Sequence, residues 1–234
     1  MSGMKRLTSA VLAGALALTL CACGADQPGS TATPSTAPSA APSASQSESG
    51  GQTSGGKVLI VYFTADENRE VDAVTSASLT TVDGVEKGRV RAVADMIQAG
   101  TGGELFAIQT ETGYPADGGE LIDYAAQEQE QNARPALTSH IENLADYDTI
   151  FVGYPNWWYD MPMALYSFFD EYDLSGKTVI PFNVHNGSRF SSTIQTIQEL
   201  EPGANVVTDG FTVSERNVAE AAADVDEWLN GLGF

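Results

Sequence analysis

The sequence is nearly without cysteine: it has two, Cys21 and Cys23, both at the end of an N-terminal apolar segment. From residue 24 onward this excludes disulfides, CxxC redox motifs, thiolate nucleophiles and cysteine ligands to a metal. Redox chemistry there must use a bound group. Positive charge is scarce too, with 11 Lys and Arg against 31 Asp and Glu, a formal charge of −20. Such a balance argues against nucleic acid and against close docking on an anionic bilayer, and solubility alone accounts for it. Walker A, Rossmann GxGxxG, HExxH and GxSxG motifs are all absent, as is any internal repeat. No pair of acidic residues has a spacing that demands a metal, so none is expected. Long apolar runs are missing as well. The one at Leu7 to Leu20 has signal-peptide length and is too short for a spanning helix.

Lys5 and Arg6 precede that run, and Leu20-Cys21-Ala22-Cys23-Gly24 ends it. The segment resembles the lipobox of bacterial lipoproteins, in which a small residue stands before the cysteine that receives lipid. Cys23 follows Ala22 and fits that position better than Cys21, which follows Leu20. The resemblance implies a signal peptide over 1–22, lipid on Cys23, and a cell-membrane lipoprotein whose domain lies on the extracytoplasmic side. An ordinary secretory signal cut near Ala25 is the alternative. Loss of Lys5 and Arg6 takes the charge from −20 to −22. The rest of 23–56 is Ser, Thr, Ala, Pro, Gly and Gln with almost no large apolar side chain, and cannot offset the entropy of ordering itself. A flexible leash of this length has a root-mean-square span of about 30 Å.

Residues 57–234 suffice for one domain with a buried core. Lys57 to Phe63, Tyr147 to Tyr154 and Lys177 to Asn183 are near-continuous apolar runs, as in strands buried on both faces; Leu105 to Thr110 and Ala204 to Val213 are shorter candidates. Between them the apolar spacing predicts helices: one carrying Val90, Val93, Ala94, Met96 and Ile97, ended by glycines 100, 102 and 103, and others near 119–132, 162–171, 190–200 and 216–231. Alternating strands and helices predict an α/β fold, a parallel sheet with helices on both faces. Thr64 to Lys87 separates the first strand from its helix by more than the usual few residues, so this insertion is expected to be functional or a lid; its structure is not evident from its residues.

Ligands of such sheets bind beyond the carboxyl ends of the strands. Three segments lie there: Thr64 to Arg69, Pro155 to Pro162 and Val184 to Phe190. The middle one holds Trp157, Trp158 and Tyr159. Two readings stand side by side: a flat aromatic ligand stacks on these rings, or they form an aromatic cap or a partner-contact patch.

Val58 to Thr64 with its polar loop, Gly153-Tyr-Pro-Asn-Trp-Trp-Tyr-Asp-Met-Pro162, Leu174 to Phe182 and Asn183-Val-His-Asn-Gly-Ser188 together resemble the flavodoxin family, over essentially all of 57–234. The resemblance implies a flavodoxin-like, doubly wound five-stranded sheet of order 2-1-3-4-5 and non-covalent FMN. It implies a phosphate site with Thr64 and Asn68 in the first loop and Gly88 and Arg89 at the start of the first helix. It puts the flavin ring against Pro155, Asn156, Trp157, Trp158 and Tyr159, with Asn183, His185, Gly187 and Ser188 closing the other side. Relatives commonly have Gly-Asn-Thr where this chain has Gly88-Arg89-Val90, and glycines where Asn186 and Arg189 stand. Arg89 supplies charge in place of the lost hydroxyl.

Other residues read as scaffold or surface. His140 is expected on the surface, and the stripe Tyr124, Gln127, Glu128, Gln131 as a solvated helix face. Asp66 and Glu67 sit where a phospho-acceptor cluster would, but the companion lysine after the fifth strand is missing. The functional expectation is a membrane-anchored, FMN-binding protein for electron transfer or reduction, with a quinone or a surface redox protein as partner. The alternative is a non-catalytic surface lipoprotein with a degenerate flavin site.

Overall fold

The computed structural model describes residues 56–68 and 79–234. The expected signal peptide, Cys23, the leash through residue 55 and Arg69 lie outside the described residues. The first apolar run forms β1 (Lys57–Tyr62), at the centre of the sheet. After it come β2 (Leu79–Val82), β3 (Val85–Gly88), α1 (Arg89–Thr101), β4 (Glu104–Ala107) and α2 (Gly118–Glu130). The chain continues through β5 (Tyr147–Pro155), α3 (Met163–Glu171), β6 (Thr178–His185), α4 (Thr193–Leu200), β7 (Asn205–Val206), β8 (Phe211–Ser214) and α5 (Ala222–Leu232).

The parallel sheet runs β4-β1-β5-β6, with β7 and β8 both paired to β6. Counting β7 and β8 as one interrupted strand, and leaving β2–β3 aside, this is the expected 2-1-3-4-5 order. Side chains of β1 alternate between the faces. Leu59, Val61 and Phe63 pack with Ala164, Leu165 and Phe168 of α3 and Ile197 of α4, while Ile60 and Tyr62 pack with Val93 and Ile97 of α1 and Val225 and Leu229 of α5.

One feature departs from the expectation for a physical reason, and another supplies structure that was not evident from the residues. The fifth strand breaks between β7 and β8 opposite Pro181. Val179 O accepts from the Val207 N–H, so the residue two further along β6, Pro181, faces the same edge with no N–H to give. The chain leaves the ladder there and rejoins it at Phe211 opposite Phe182. Second, the described part of the long insertion is not a bare loop. A 3-10 turn, Ala65–Glu67, follows β1, and β2 pairs antiparallel with β3 in a separate hairpin. Its turn is Asp83-Gly84, with φ of 52° and 78°, the positive pair that a two-residue hairpin favours. The other boundaries shift modestly. α4 starts at Thr193, and α5 at Ala222 after a 3-10 turn.

Candidate functional site: a cleft at the carboxyl edge of the sheet

A cleft of about 250 Å³ opens where β1, β5 and β6 end. Its anion end is built by β1 and α1. Thr64, buried just past β1, lines it together with Arg89 and Val90. Gly88 is the N-cap of α1 and carries no capping side chain, so the first N–H groups of the helix have no side-chain acceptor from that position. An uncapped N-terminus attracts anions through those donors and the helix dipole. Arg89 adds a guanidinium, with Nη1 3.4 Å from Glu215 Oε2 just past β8. Gly88 itself does not line the cleft. It lies beneath Thr64, where a Cβ would collide with the Thr64 hydroxyl.

The aromatic wall comes from the loop after β5. Trp157 and Asp160 exchange backbone hydrogen bonds at 2.9 Å, closing a two-residue turn over Trp158 and Tyr159. Both turn residues have positive φ, 51° and 66°, a left-handed geometry costing bulky side chains about 1–2 kcal/mol each. Trp157 turns inward and meets Phe63 and Tyr114 at ring-centroid distances of 5.6 and 5.7 Å. Trp158 lines the cleft, and its Nε1 donates to Ile122 O of α2 at 3.1 Å. Tyr159 projects away, 71% exposed, and does not line the cleft.

The third side holds Val184, His185 and Asn186. His185 Nδ1 accepts from the Gly187 N–H at 2.8 Å, which places the ring proton of the neutral form on Nε2. Burial, then the positive charge of Arg189, lowers its pKa below 6.5, against an opposing pull from Glu215. The imidazole is therefore a neutral donor near pH 7.

The expected site residues thus divide. Thr64, Arg89, Pro155, Asn156, Trp157, Trp158 and His185 meet around one cleft. Asn68 does not. It is buried as a brace, with Nδ2 donating to Thr64 O and Ile108 O and Oδ1 accepting from Thr110 N. Asn183 is likewise buried and committed, donating to Arg189 O at 2.8 Å and accepting from the Thr212 hydroxyl at 2.6 Å. Gly187 and Ser188 shape the loop without lining the cleft. One whole wall was not anticipated from the sequence: Gly118, Leu121, Ile122 and Ala125 of α2. The stripe on the same helix is also corrected. Glu128 is buried and accepts from the Tyr114 hydroxyl at 3.0 Å, whereas His140 is exposed as expected.

A family model described as flavodoxin matches residues 78–232. The chain belongs to the flavodoxin family. Among solved structures it is similar to candidate flavoproteins from Bacteroides uniformis ATCC 8492 (28% identity, TM-score 0.58) and Bacteroides eggerthii DSM 20697 (24% identity, TM-score 0.58). These similarities cover 75% and 77% of this chain respectively, and 99% of each relative. A flavoprotein of Lactobacillus acidophilus NCFM, solved in complex with FMN, shares the fold at 19% identity and TM-score 0.51, over 75% of this chain and 99% of its own. No curated protein matches the sequence. The cleft lies at the switch point, beside β1 where the strand order reverses, the general ligand position of doubly wound sheets.

Proposed function

We propose that this flavodoxin binds FMN in the cleft and acts as an electron carrier or reductase, held outside the cytoplasmic membrane by lipid on Cys23. The observation that carries the reading is one cleft joining an uncapped helix N-terminus to a tryptophan wall. The donor set suits FMN: helix amides, the Thr64 hydroxyl and Arg89 for a phosphate, Trp157 and Trp158 for a flat ring, and the His185 Nε2–H for a ring acceptor. When bound, the flavin supplies the electron chemistry. The protein orients it, excludes water along the Trp157–Phe63–Tyr114 side, and fixes one proton at His185 Nε2. Ile122 and Trp158 at the mouth are about half exposed, and Tyr159 beside them more so. Such an apolar rim supports a flat, apolar acceptor such as a quinone.

Glu215 favours a second reading, since a carboxylate facing Arg89 opposes a phosphate there. On that view the flavin site is degenerate and the lipoprotein serves as a binding module. Titration with FMN decides between them. Quenching of flavin fluorescence with a saturable midpoint supports the flavoprotein, and a colourless protein that leaves free FMN fluorescent refutes it. Mass analysis of the mature N-terminus tests the tether, because an unmodified start at Ala25 would rule out lipid on Cys23.

A further inference from the structure

A second concavity, of about 320 Å³, lies along α2 on a different set of residues. Tyr124, Gln127, Glu128 and Gln131 form one side, and the segments at Glu111 and Ala133–Ala136 the other. We infer that this groove binds a protonated amine or guanidinium group, with Glu128 as its anionic floor.

Glu128 is 8% exposed, yet no described cation pairs with it. Oε2 is occupied by the Tyr114 hydroxyl. That phenol stays protonated, because burial and the neighbouring Glu128 raise its pKa, so it donates. Among the described residues Oε1 has no hydrogen-bond partner, and Glu128 lines the groove. Burial raises the Glu128 pKa against the lowering pull of the Tyr114 hydrogen bond, and a cation bound at the second oxygen would offset that cost and hold the carboxylate charged. The one cationic side chain lining the groove is committed elsewhere. Arg134 Nε lies 2.6 Å from Asp170, Nη1 donates to the Asn132 and Ala133 carbonyls, and the guanidinium stacks over Tyr166 at 5.0 Å.

The remaining surfaces suit a nitrogen cation. Gln127 and Gln131 carry amide oxygens that accept N–H bonds, Glu111 adds a second negative charge at the rim, and Tyr124 supplies an aromatic face. Among the described residues no group of three or more His, Cys, Asp and Glu is placed to hold a metal ion. The groove also reports on the first cleft, because the Tyr114 ring touches both Tyr124 and Trp157.

The test is an NMR titration of the protein with ethylammonium chloride, against sodium chloride at equal ionic strength. It does not depend on FMN. Saturable shifts at Tyr114, Tyr124 and Glu128 are expected, weakened about tenfold or more in Glu128→Gln, which keeps an acceptor for the Tyr114 hydroxyl. Gln131→Lys places an ammonium three residues on from Glu128, at the C-cap of α2 on the groove wall, and is expected to abolish binding with Glu128 intact. A lysine-containing tripeptide that binds more tightly than ethylammonium identifies a protein side chain as occupant; equal affinity identifies a free amine. Shifts no larger than those with sodium chloride, or binding that survives in Glu128→Gln, overturn the inference. If Glu128→Gln fails to fold, unchanged binding in Gln131→Lys overturns it as well.

Discussion

Replacing Gly88 with Ala tests how the anion end of the cleft is assembled. Gly88 has φ −55° and ψ 140°, a conformation open to any residue, so the requirement for glycine is one of space. An added Cβ would stand 3.1 Å from both Cβ and Cγ2 of Thr64, and closer still to its hydroxyl. Carbon atoms prefer about 3.5–4.0 Å, so Thr64 must retreat by roughly half an ångström or more. It has little room, because it is 4% exposed and the preceding Phe63 N–H is fixed to Gly153 O at 3.0 Å. Overpacking of this kind costs about 1–3 kcal/mol. On the proposed function the same displacement takes the hydroxyl away from the FMN phosphate, and a hydrogen bond to a charged group contributes about 1.5–3 kcal/mol, or roughly 10- to 150-fold in affinity.

Urea unfolding and FMN titration read the two effects separately. A double-mutant cycle then isolates the contact. In a Thr64→Ala background the hydroxyl and Cγ2 are gone, so Gly88→Ala is expected to cost less by about 1 kcal/mol or more. Full stability and full FMN affinity in Gly88→Ala, or strictly additive costs in the cycle, would refute this account of the site.

The other predictions concern the hairpin, the tryptophans and the histidine. Gly84→Ala has open space around it but φ 78°, so backbone strain alone should destabilise the protein by about 1–2 kcal/mol, while Asp83→Asn leaves stability within about 0.5 kcal/mol in the same urea assay. Trp157→Ala, which removes the ring wedged against Phe63 and Tyr114, should lower stability by about 3 kcal/mol. Trp158→Ala should cost about 1 kcal/mol, for its bond to Ile122, yet weaken FMN binding; unchanged affinity in both variants would show that the ring binds elsewhere. By NMR, His185 should titrate below 6.5, with Arg189→Gln moving the midpoint upward. Because the unfolded chain takes up this proton first, the His185 contribution to stability is complete above about pH 6.5 and is lost as pH falls toward the lower folded value.

The parallel sheet was legible because each central strand is an apolar run with no competing period, and such runs have few places to go except a sheet covered on both faces, whereas the strand order came only from the resemblance to the flavodoxin family. Two local signals in the residues point to structure that the apolar pattern alone does not. Asp83-Gly84 is a strong short-range indicator of a hairpin, and it lies in the insertion that otherwise offered no pattern. Pro181, in the middle of an apparent buried strand, marks the edge along which one neighbour cannot stay paired, and the fifth strand breaks there. Neither needed the structure. What did need it was the α2 wall of the cleft, since Leu121, Ile122 and Ala125 look like any apolar helix face until the topology sets them opposite Trp158.

The turn at Trp158-Tyr159 shows why the site is harder to read than the fold. It has the same positive-φ pair as Asp83-Gly84, but on two side chains that disfavour it, so propensity argues against the observed conformation. The turn persists because its surroundings over-determine it: paired backbone bonds between Trp157 and Asp160, the Asp160 Oδ1 bond to the Met161 N–H, and the Trp158 anchor on Ile122. An Asn-Gly turn would close the same loop with less strain, but it would leave no indole over the cleft. The strain is therefore tied to placing the Trp158 indole on the wall of the cleft, and local rules fail where the surroundings over-determine the backbone.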